Sequence, residues 1–273
     1  MLEHNRIVDT LKKVNPDWDV EKLFQEARKI NIAQMQHIIY NGFLSAFLSR
    51  GTITTYKLRS LNTGYSTSYD KKRDATIANG FGIAYRMGHT LIPTYMDLYS
   101  DLSTRKSGPE MGPFDVVDTF NNPHLTFLNQ RTGCPALLKW MTSQTSPATD
   151  SISGSSLGPT LSCILGREFQ NLKEGDSYWY ERPEPQGFAK EQLNEIRKTS
   201  LSAVLCANLG LTQIQIDAFK LPASTNFAVP CTVVPSIDFT KWKSTLPSKP
   251  GIRQSSLPEI MRQLAKMDRK TKK

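Results

Sequence analysis

Two amphipathic helical patterns, one directly after the other within residues 2–40, restrict this chain to folds in which helices pack on helices. Residues 2–14 carry Ile7, Val8, Leu11 and Val14 at the spacing that lines apolar side chains along one side of a helix. Pro16 disfavours helical backbone at Asn15, so Asn15-Pro16-Asp17 closes this first helix. Asp19 has the side chain of an N-cap, and Glu21 suits the positive end of a second helix. That helix extends to about Tyr40, with Leu23, Phe24, Ala27, Ile30 and Ile38 as its apolar stripe. Asn41-Gly42 either stops it or kinks it ahead of Phe43–Leu48.

Further along, residues 50–70 read as a polar loop in which Thr52–Leu58 has the composition of a short strand. A third helix is expected from near Asp74 to about Thr94, burying Ile77, Ala78, Phe81, Tyr85, His89 and Ile92. Gly80, Gly82 and Gly88 interrupt it, each at about 1 kcal/mol relative to alanine, so a packing reason is expected for some of them. Residues 100–113 read as loop, and residues 115–142 as weakly helical, with Leu137, Leu138 and Trp140. The run Ser143–Ser156 resembles a linker. Gly158-Pro159 opens another helix that turns Leu161, Ile164, Leu165 and Phe169 to one side. One more helix is expected over Phe188–Asn208, capped by Gly210, then loop and short extended pieces over 211–240, and an amphipathic helix over Ser256–Met267. The class is mainly α.

With 273 residues and 38% hydrophobic composition, the chain has enough apolar material for a sizeable core, which excludes a disordered protein. No stretch approaches the roughly 18 apolar residues of a membrane span, so no transmembrane segment is expected. The polar start, Met1–Asp17, reads as no signal peptide. The net charge of +9 is concentrated at the end: residues 241–273 hold ten lysines and arginines against Glu259 and Asp268. A nucleic-acid binder carries its basic surface on the folded body, so no nucleic-acid partner is expected. The tail reads as solvated, with an acidic surface such as a glycosaminoglycan or a membrane as its conceivable partner.

Chemistry-bearing motifs are few. The chain contains no GxSxG, GxGxxG, P-loop or HExxH sequence, and no carboxylate pair stands out against a helix stripe. Cys134, Cys163, Cys206 and Cys231 include no CxxC pair, which argues against structural zinc; three pairings, or four reduced thiols, remain open. His4, His37 and His124 read as structural or surface residues. His89 differs by its neighbours, in Arg86-Met87-Gly88-His89-Thr90-Leu91-Ile92. Arg86 shares its helix face, and Gly88 leaves room for a flat ligand against the backbone. An imidazole for iron and a guanidinium for a propionate suit haem. A core histidine bonded to a backbone carbonyl would present the same pattern.

Several runs carry a resemblance that bears on this choice. They are Glu3-His4-Asn5-Arg6-Ile7 with Asn15-Pro16 and Trp18, and Glu26-Ala27-Arg28-Lys29-Ile30 followed by Gln36, Ile38, Ile39 and Tyr40. Arg86–Ile92 follows, then Gly158-Pro159-Thr160-Leu161, Phe169, Gly175-Asp176, Tyr178-Trp179-Tyr180-Glu181 and Cys206-Ala207-Asn208. Through them the chain resembles the C-terminal part of the animal haem peroxidases, the peroxidasin-like and myeloperoxidase-like enzymes. The likeness covers residues 3 to about 100 and about 157 to 243, and Arg86–Ile92 is its most specific part. It implies a truncated, mainly α haem-peroxidase domain over residues 1–243 with little β, followed by a basic tail over 244–273. It implies haem b as cofactor, hydrogen peroxide and a small reducing substrate as reactants, and an extracellular setting. By position, His89 corresponds to the axial ligand of the haem iron, Arg86 to the propionate-binding arginine, and Cys206 and Cys231 to the last disulfide of the family. Cys163 matches a family cysteine whose partner is not found here, and Cys134 has no counterpart; two unpaired thiols or a Cys134–Cys163 bridge follow.

The departures are as specific. The family's distal histidine, its calcium loop, its distal arginine and glutamate, and its haem-ester acids all correspond to positions before residue 1, so calcium and covalent haem attachment are not implied for this chain. His4 matches a helix residue of the family and cannot replace the distal histidine by motif. The family's asparagine behind the proximal histidine, and its Arg-Asp-His-Gly-Leu-Pro stretch, should fall between Asp150 and Leu157, where the sequence is only Ser151-Ile152-Ser153-Gly154-Ser155-Ser156. That run reads as the junction of an internal deletion.

Overall fold

Helix α1 (Leu2–Val14) sinks Ile7 and Leu11 completely, and Asn15 ends it with its amide hydrogen-bonded to the Trp242 carbonyl at 3.0 Å. Asp19 caps α2 (Val20–Ile38), accepting the Lys22 amide at 2.7 Å. The computed structural model describes residues 1–86, 94–98, 111–119, 157–185, 187–220 and 223–244. The chain divides into a unit Met1–Trp242 and a second, Lys243–Lys273; the elements described here belong to the first.

The stripe of α2 runs through Leu23, Ala27, Ile30, Gln34 and His37, not through Phe24. Phe24 lies one residue round the helix, 45% exposed, with His4 against its edge at 5.1 Å. Asn41-Gly42 kinks the chain without stopping it. Residues Ile39–Phe43 form a π turn that passes into α3 (Leu44–Phe47). A Cβ on Gly42 would stand 2.8 Å from the Phe219 ring, so this turn admits only glycine without displacing that ring.

The strand expected within 52–58 is instead helix α4 (Arg50–Thr55). Ser49 caps it by accepting the Thr52 amide at 3.1 Å, and Thr54 returns its hydroxyl to the Arg50 carbonyl at 2.9 Å. Local capping thus outweighs β-branched composition. The helix expected over 74–94 is also shorter. The Asp74 carboxylate accepts the Thr76 amide, an Asx turn that competes with helix, and α5 spans only Asn79–Ala84. Of its expected stripe Phe81 is buried, while Ile77 and Tyr85 are exposed. Gly80 and Gly82 face open space, so no packing reason for either is found; Gly88, His89 and Ile92 lie outside the described residues.

Strands β1 (Tyr95–Leu98) and β2 (Met111–Asp115) pair antiparallel, β2 starting inside the loop expected over 100–113, and a 3-10 turn follows at Val116–Thr119. The linker-like run and the expected terminal helix lie outside the described residues. Helix α6 (Pro159–Gly175) starts where Gly158-Pro159 predicts. The single helix expected over 188–208 is two, α7 (Lys190–Ile196) and α8 (Leu201–Leu209), because Ser200 opens a new helix by accepting the Ala203 amide at 3.1 Å. Gly210 ends α8 in the left-handed conformation at φ +61°. Short strands β3 (Gln213–Gln215) and β4 (Ala228–Pro230) pair antiparallel. The described chain is therefore predominantly helical, with two small two-stranded sheets. None of its described helices is long and apolar enough to cross a membrane.

Helices α1, α2 and α8 meet at Glu3, a nearly buried carboxylate. It accepts from the Arg6 guanidinium at 2.7 Å, the Gln34 amide at 3.0 Å and the Asn208 amide at 2.7 Å. Burial pushes this carboxyl up, but the hydrogen bonds from Arg6, Asn208 and Gln34, with the Arg6 charge, outweigh burial and hold it below its ordinary value of 4.5. The stabilisation is therefore complete above the ordinary value and is lost as pH falls from 4.5 through the lowered one. Glu3→Gln is expected to lower stability at neutral pH by about 1–2 kcal/mol and to flatten the acid limb of a urea-denaturation series. An unchanged acid limb would remove Glu3 from this role.

Candidate functional site

The seam between α2 and α6 carries the chemistry that the described residues bring together. Tyr40, at the π turn, donates its hydroxyl to the Phe169 carbonyl of α6 at 2.7 Å. Its ring meets Phe169 edge-on at 5.8 Å and Trp179 at 4.7 Å. Burial, with the charges of Asp176 and Glu168, pushes the Tyr40 phenol far up, so it stays protonated. Beside it Gln36 spans to the turn after α6, donating to Asp176 at 2.9 Å and accepting the Tyr180 amide at 3.1 Å. A cleft of about 440 Å³ opens here, between Gln36, Tyr40, Phe169, Leu172, Asp176 and Trp179. Its lining includes one carboxylate, Asp176, and one serine, Ser177.

Loop 57–66 is drawn onto this seam by two buried ions. The Lys173 ammonium collects the carbonyls of Lys57 at 3.0 Å and Arg59 at 2.7 Å. Glu181, with no exposure, accepts the Leu61 amide at 2.7 Å and the Trp179 indole at 3.0 Å, and pairs with Arg197 at 3.4 Å. Burial pushes the Lys173 ammonium down, against the opposing charges of Glu181 and Glu174.

Helix α5 leans on α6 through Phe81, whose ring meets Phe169 at 5.7 Å, and through the Ala78 amide, which donates to Glu168 at 3.0 Å. Tyr85 stacks on Phe81 at 5.0 Å, and Arg86 follows, exposed and without a partner among the described residues. His89 lies outside the described residues, as do His124 and Cys134. An imidazole and a guanidinium three residues apart fit the two functions of haem, an iron and a carboxylate edge. Among the described residues no three His, Cys, Asp or Glu side chains gather as a metal cluster.

Cys206 on α8 and Cys231 after β4 form a disulfide with Cα atoms 5.6 Å apart. Cys163 on α6 is a free, exposed thiol that accepts the Tyr56 hydroxyl at 3.2 Å, so no bridge to Cys134 forms. His4 is half-buried and contacts the Phe24 carbonyl at 3.3 Å. His37 is buried, and its Nδ1 is 2.8 Å from the Tyr180 hydroxyl. Burial first, then the Arg197 charge, pushes this imidazole down to about 4. Sequence reasoning treats His37 as structural and does not connect it to Tyr180, because the 143 residues between them leave no local pattern.

A family model described as animal haem peroxidase matches residues 1–157 and again 148–219. A peroxidasin homolog of Caenorhabditis elegans is 30% identical over 329 aligned positions, which take in 88% of this chain and 24% of that protein. A peroxidase of Drosophila melanogaster is 27% identical over 331 positions, covering 88% of this chain and 47% of that protein. Among solved structures, Peroxidase A from Dictyostelium discoideum shares the fold, with a TM-score of 0.58 at 18% identity over 82% of this chain and 55% of that one. The chain spans less than half the length of these two curated relatives. Both alignments extend over more positions than the 273 residues present, although each takes in only 88% of them, so the relatives hold positions inside the aligned span with no counterpart here.

Removing the Glu181 carboxylate should test how the seam is held. Glu181→Ala leaves the Leu61 amide, the Trp179 indole and the Arg197 guanidinium without their buried acceptor, and a loss of about 3–5 kcal/mol in urea unfolding is expected. Glu181→Gln, which keeps one carbonyl acceptor, should lose less. Equal small losses for both would show that the carboxylate is dispensable.

Proposed function

Because this chain belongs to the animal haem peroxidase family, we propose that residues Arg86–His89 are its haem-binding segment and that the chain supplies the proximal half of a peroxidase site. His89 would hold the iron through its imidazole, and Arg86 would bind a propionate. The observation that supports this most is the Arg86 guanidinium, exposed at the end of α5 without a partner among the described residues and three residues ahead of the histidine. When bound, haem would supply the redox centre for oxidation of small donors by hydrogen peroxide. The chain's own share is to hold haem: a charge-assisted hydrogen bond from Arg86, an imidazole from His89, and an α5 anchored to α6 through Phe81 and Phe169.

Cleavage of a peroxide bond needs a base to move a proton between its oxygens and a positive group beside the developing charge. The 273 residues contain no counterpart by motif of the family's distal histidine and arginine. By itself this polypeptide is therefore expected to bind haem and to turn over peroxide no faster than free haem. Residues 151–156 are read as the junction of an internal deletion. Support comes from the two family-model matches, which meet between residues 148 and 157, and from the surplus of aligned positions in the relatives. Loss of the asparagine behind the proximal histidine would leave that imidazole less firmly oriented. The Cys206–Cys231 disulfide suits an oxidising, extracellular setting.

Reconstitution with haem and titration of the Soret band test the assignment. The native chain should give a band distinct from free haem, and His89→Ala should lose it. Arg86→Ala should keep the band and weaken binding by about tenfold, the equivalent of one charge-assisted hydrogen bond. Identical spectra for native chain and His89→Ala would overturn the ligand. Turnover of a phenolic donor well above free haem would overturn the expected inactivity.

A further inference from the structure

A file of aromatic rings runs inward from the end of α5. Tyr85 stacks on Phe81 at 5.0 Å between centroids, Phe81 meets Phe169 at 5.7 Å, and Phe169 meets Tyr40 at 5.8 Å. Tyr40 then meets Trp179 at 4.7 Å, and Trp179 leans on Tyr180 at 4.9 Å. The two buried phenols on this file differ in what receives their protons. Tyr40 donates to the Phe169 carbonyl, which cannot take a proton. Tyr180 faces Nδ1 of His37 at 2.8 Å, and an imidazole can. We propose that Tyr180 and His37 form a redox-active pair, in which Tyr180 yields one electron along the aromatic file while its phenolic proton crosses to His37 Nδ1.

The chemistry follows from burial. A phenol that loses an electron becomes a far stronger acid than any imidazolium, and Tyr180, 2% exposed, can shed the proton only to a base already in contact. Burial, reinforced by the Glu181 charge, pushes the Tyr180 phenol up, so no tyrosinate forms beforehand. Burial also pushes His37 down, so the ring is neutral near neutral pH, and a hydrogen bond to the Arg197 backbone steadies it; Nδ1 faces the Asn41 amide nitrogen at 2.9 Å as well as the Tyr180 hydroxyl, so the phenol shares this acceptor. The balance is closed: one electron passes to a one-electron oxidant, one proton moves from the phenol oxygen to Nδ1, and the products are a neutral tyrosyl radical and an imidazolium. Reduction returns both particles to the phenol. Trp179 lies between the two tyrosines, and its indole donates to the buried Glu181 carboxylate at 3.0 Å, a charge that favours an electron-deficient ring. The Lys173 ammonium, 5.7 Å from the same ring, opposes this. The partner in this step is any one-electron oxidant; a haem held by Arg86 and His89 would be one source, which rests on the haem-binding reading, whereas the pair does not.

The test uses the full chain without haem. Light-driven tris(bipyridyl)ruthenium with persulfate supplies the one-electron oxidant, and the frozen sample is read by EPR and proton ENDOR in H2O and D2O. The expected result is a neutral tyrosyl radical with a strongly coupled exchangeable proton at its oxygen. Tyr180→Phe, which keeps the ring, should remove that component. His37→Leu should remove the exchangeable coupling, and Trp179→Phe should lower the yield. A native chain whose tyrosyl radicals carry no exchangeable proton overturns the proposal without any variant. An unaltered signal in Tyr180→Phe overturns it equally. Because haem is absent throughout, such a failure rejects the pair alone and leaves the Soret assignment to its own test.

Discussion

One carboxylate without solvent exposure, Glu181, organises the part of this molecule on which the rest is built. Its oxygens take the Leu61 amide, the Trp179 indole and the Arg197 guanidinium, and its own carbonyl takes the Ser66 amide at 2.8 Å. A buried charge is costly unless every lone pair finds a donor, so this site tolerates few alternative arrangements of loop 57–66, the turn after α6 and α7. Lys173 acts in the opposite sense, collecting loop carbonyls around a buried ammonium. Together these ions replace the regular secondary structure that the loop lacks.

With that loop fixed, Trp179 and Tyr180 are pressed against α2, and the π turn at Ile39–Phe43 presents Tyr40 to meet them. Helix α6 lies behind through Phe169, and α5 rests on α6. The exposed Arg86 is therefore tied by contiguous packing to the buried Glu181 carboxylate. Function and stability share residues here: the Trp179 that shields the seam also donates its indole N–H to Glu181 and continues the aromatic file towards Tyr180.

What was legible in the sequence was local. The end of α1 at Asn15, the cap at Asp19, the start of α6 at Gly158-Pro159 and the left-handed stop at Gly210 depend on neighbours within a few residues. The errors were local competitions misjudged: Ser49 capping a helix over β-branched residues, the Asx turn at Asp74 delaying α5, and Ser200 splitting α7 from α8. Phe24 was assigned to the stripe because adjacent apolar residues blur its phase. The pairing of β1 with β2, the Glu181 site and the contact of His37 with Tyr180 join residues far apart, and no periodicity records them. The candidate site divides in the same way. Arg86 and His89 are read from a contiguous motif, whereas the aromatic file that starts at Tyr85 joins residues far apart in the sequence.

The proposed ligand of the haem iron is His89. Resonance Raman spectroscopy of the ferrous, haem-loaded chain measures that bond itself. An iron–histidine stretching band should appear, shift on uniform 15N-histidine labelling and vanish in His89→Gly, then return when imidazole is added to that variant. A band that persists in His89→Gly, or none in the native chain, would contradict the claim.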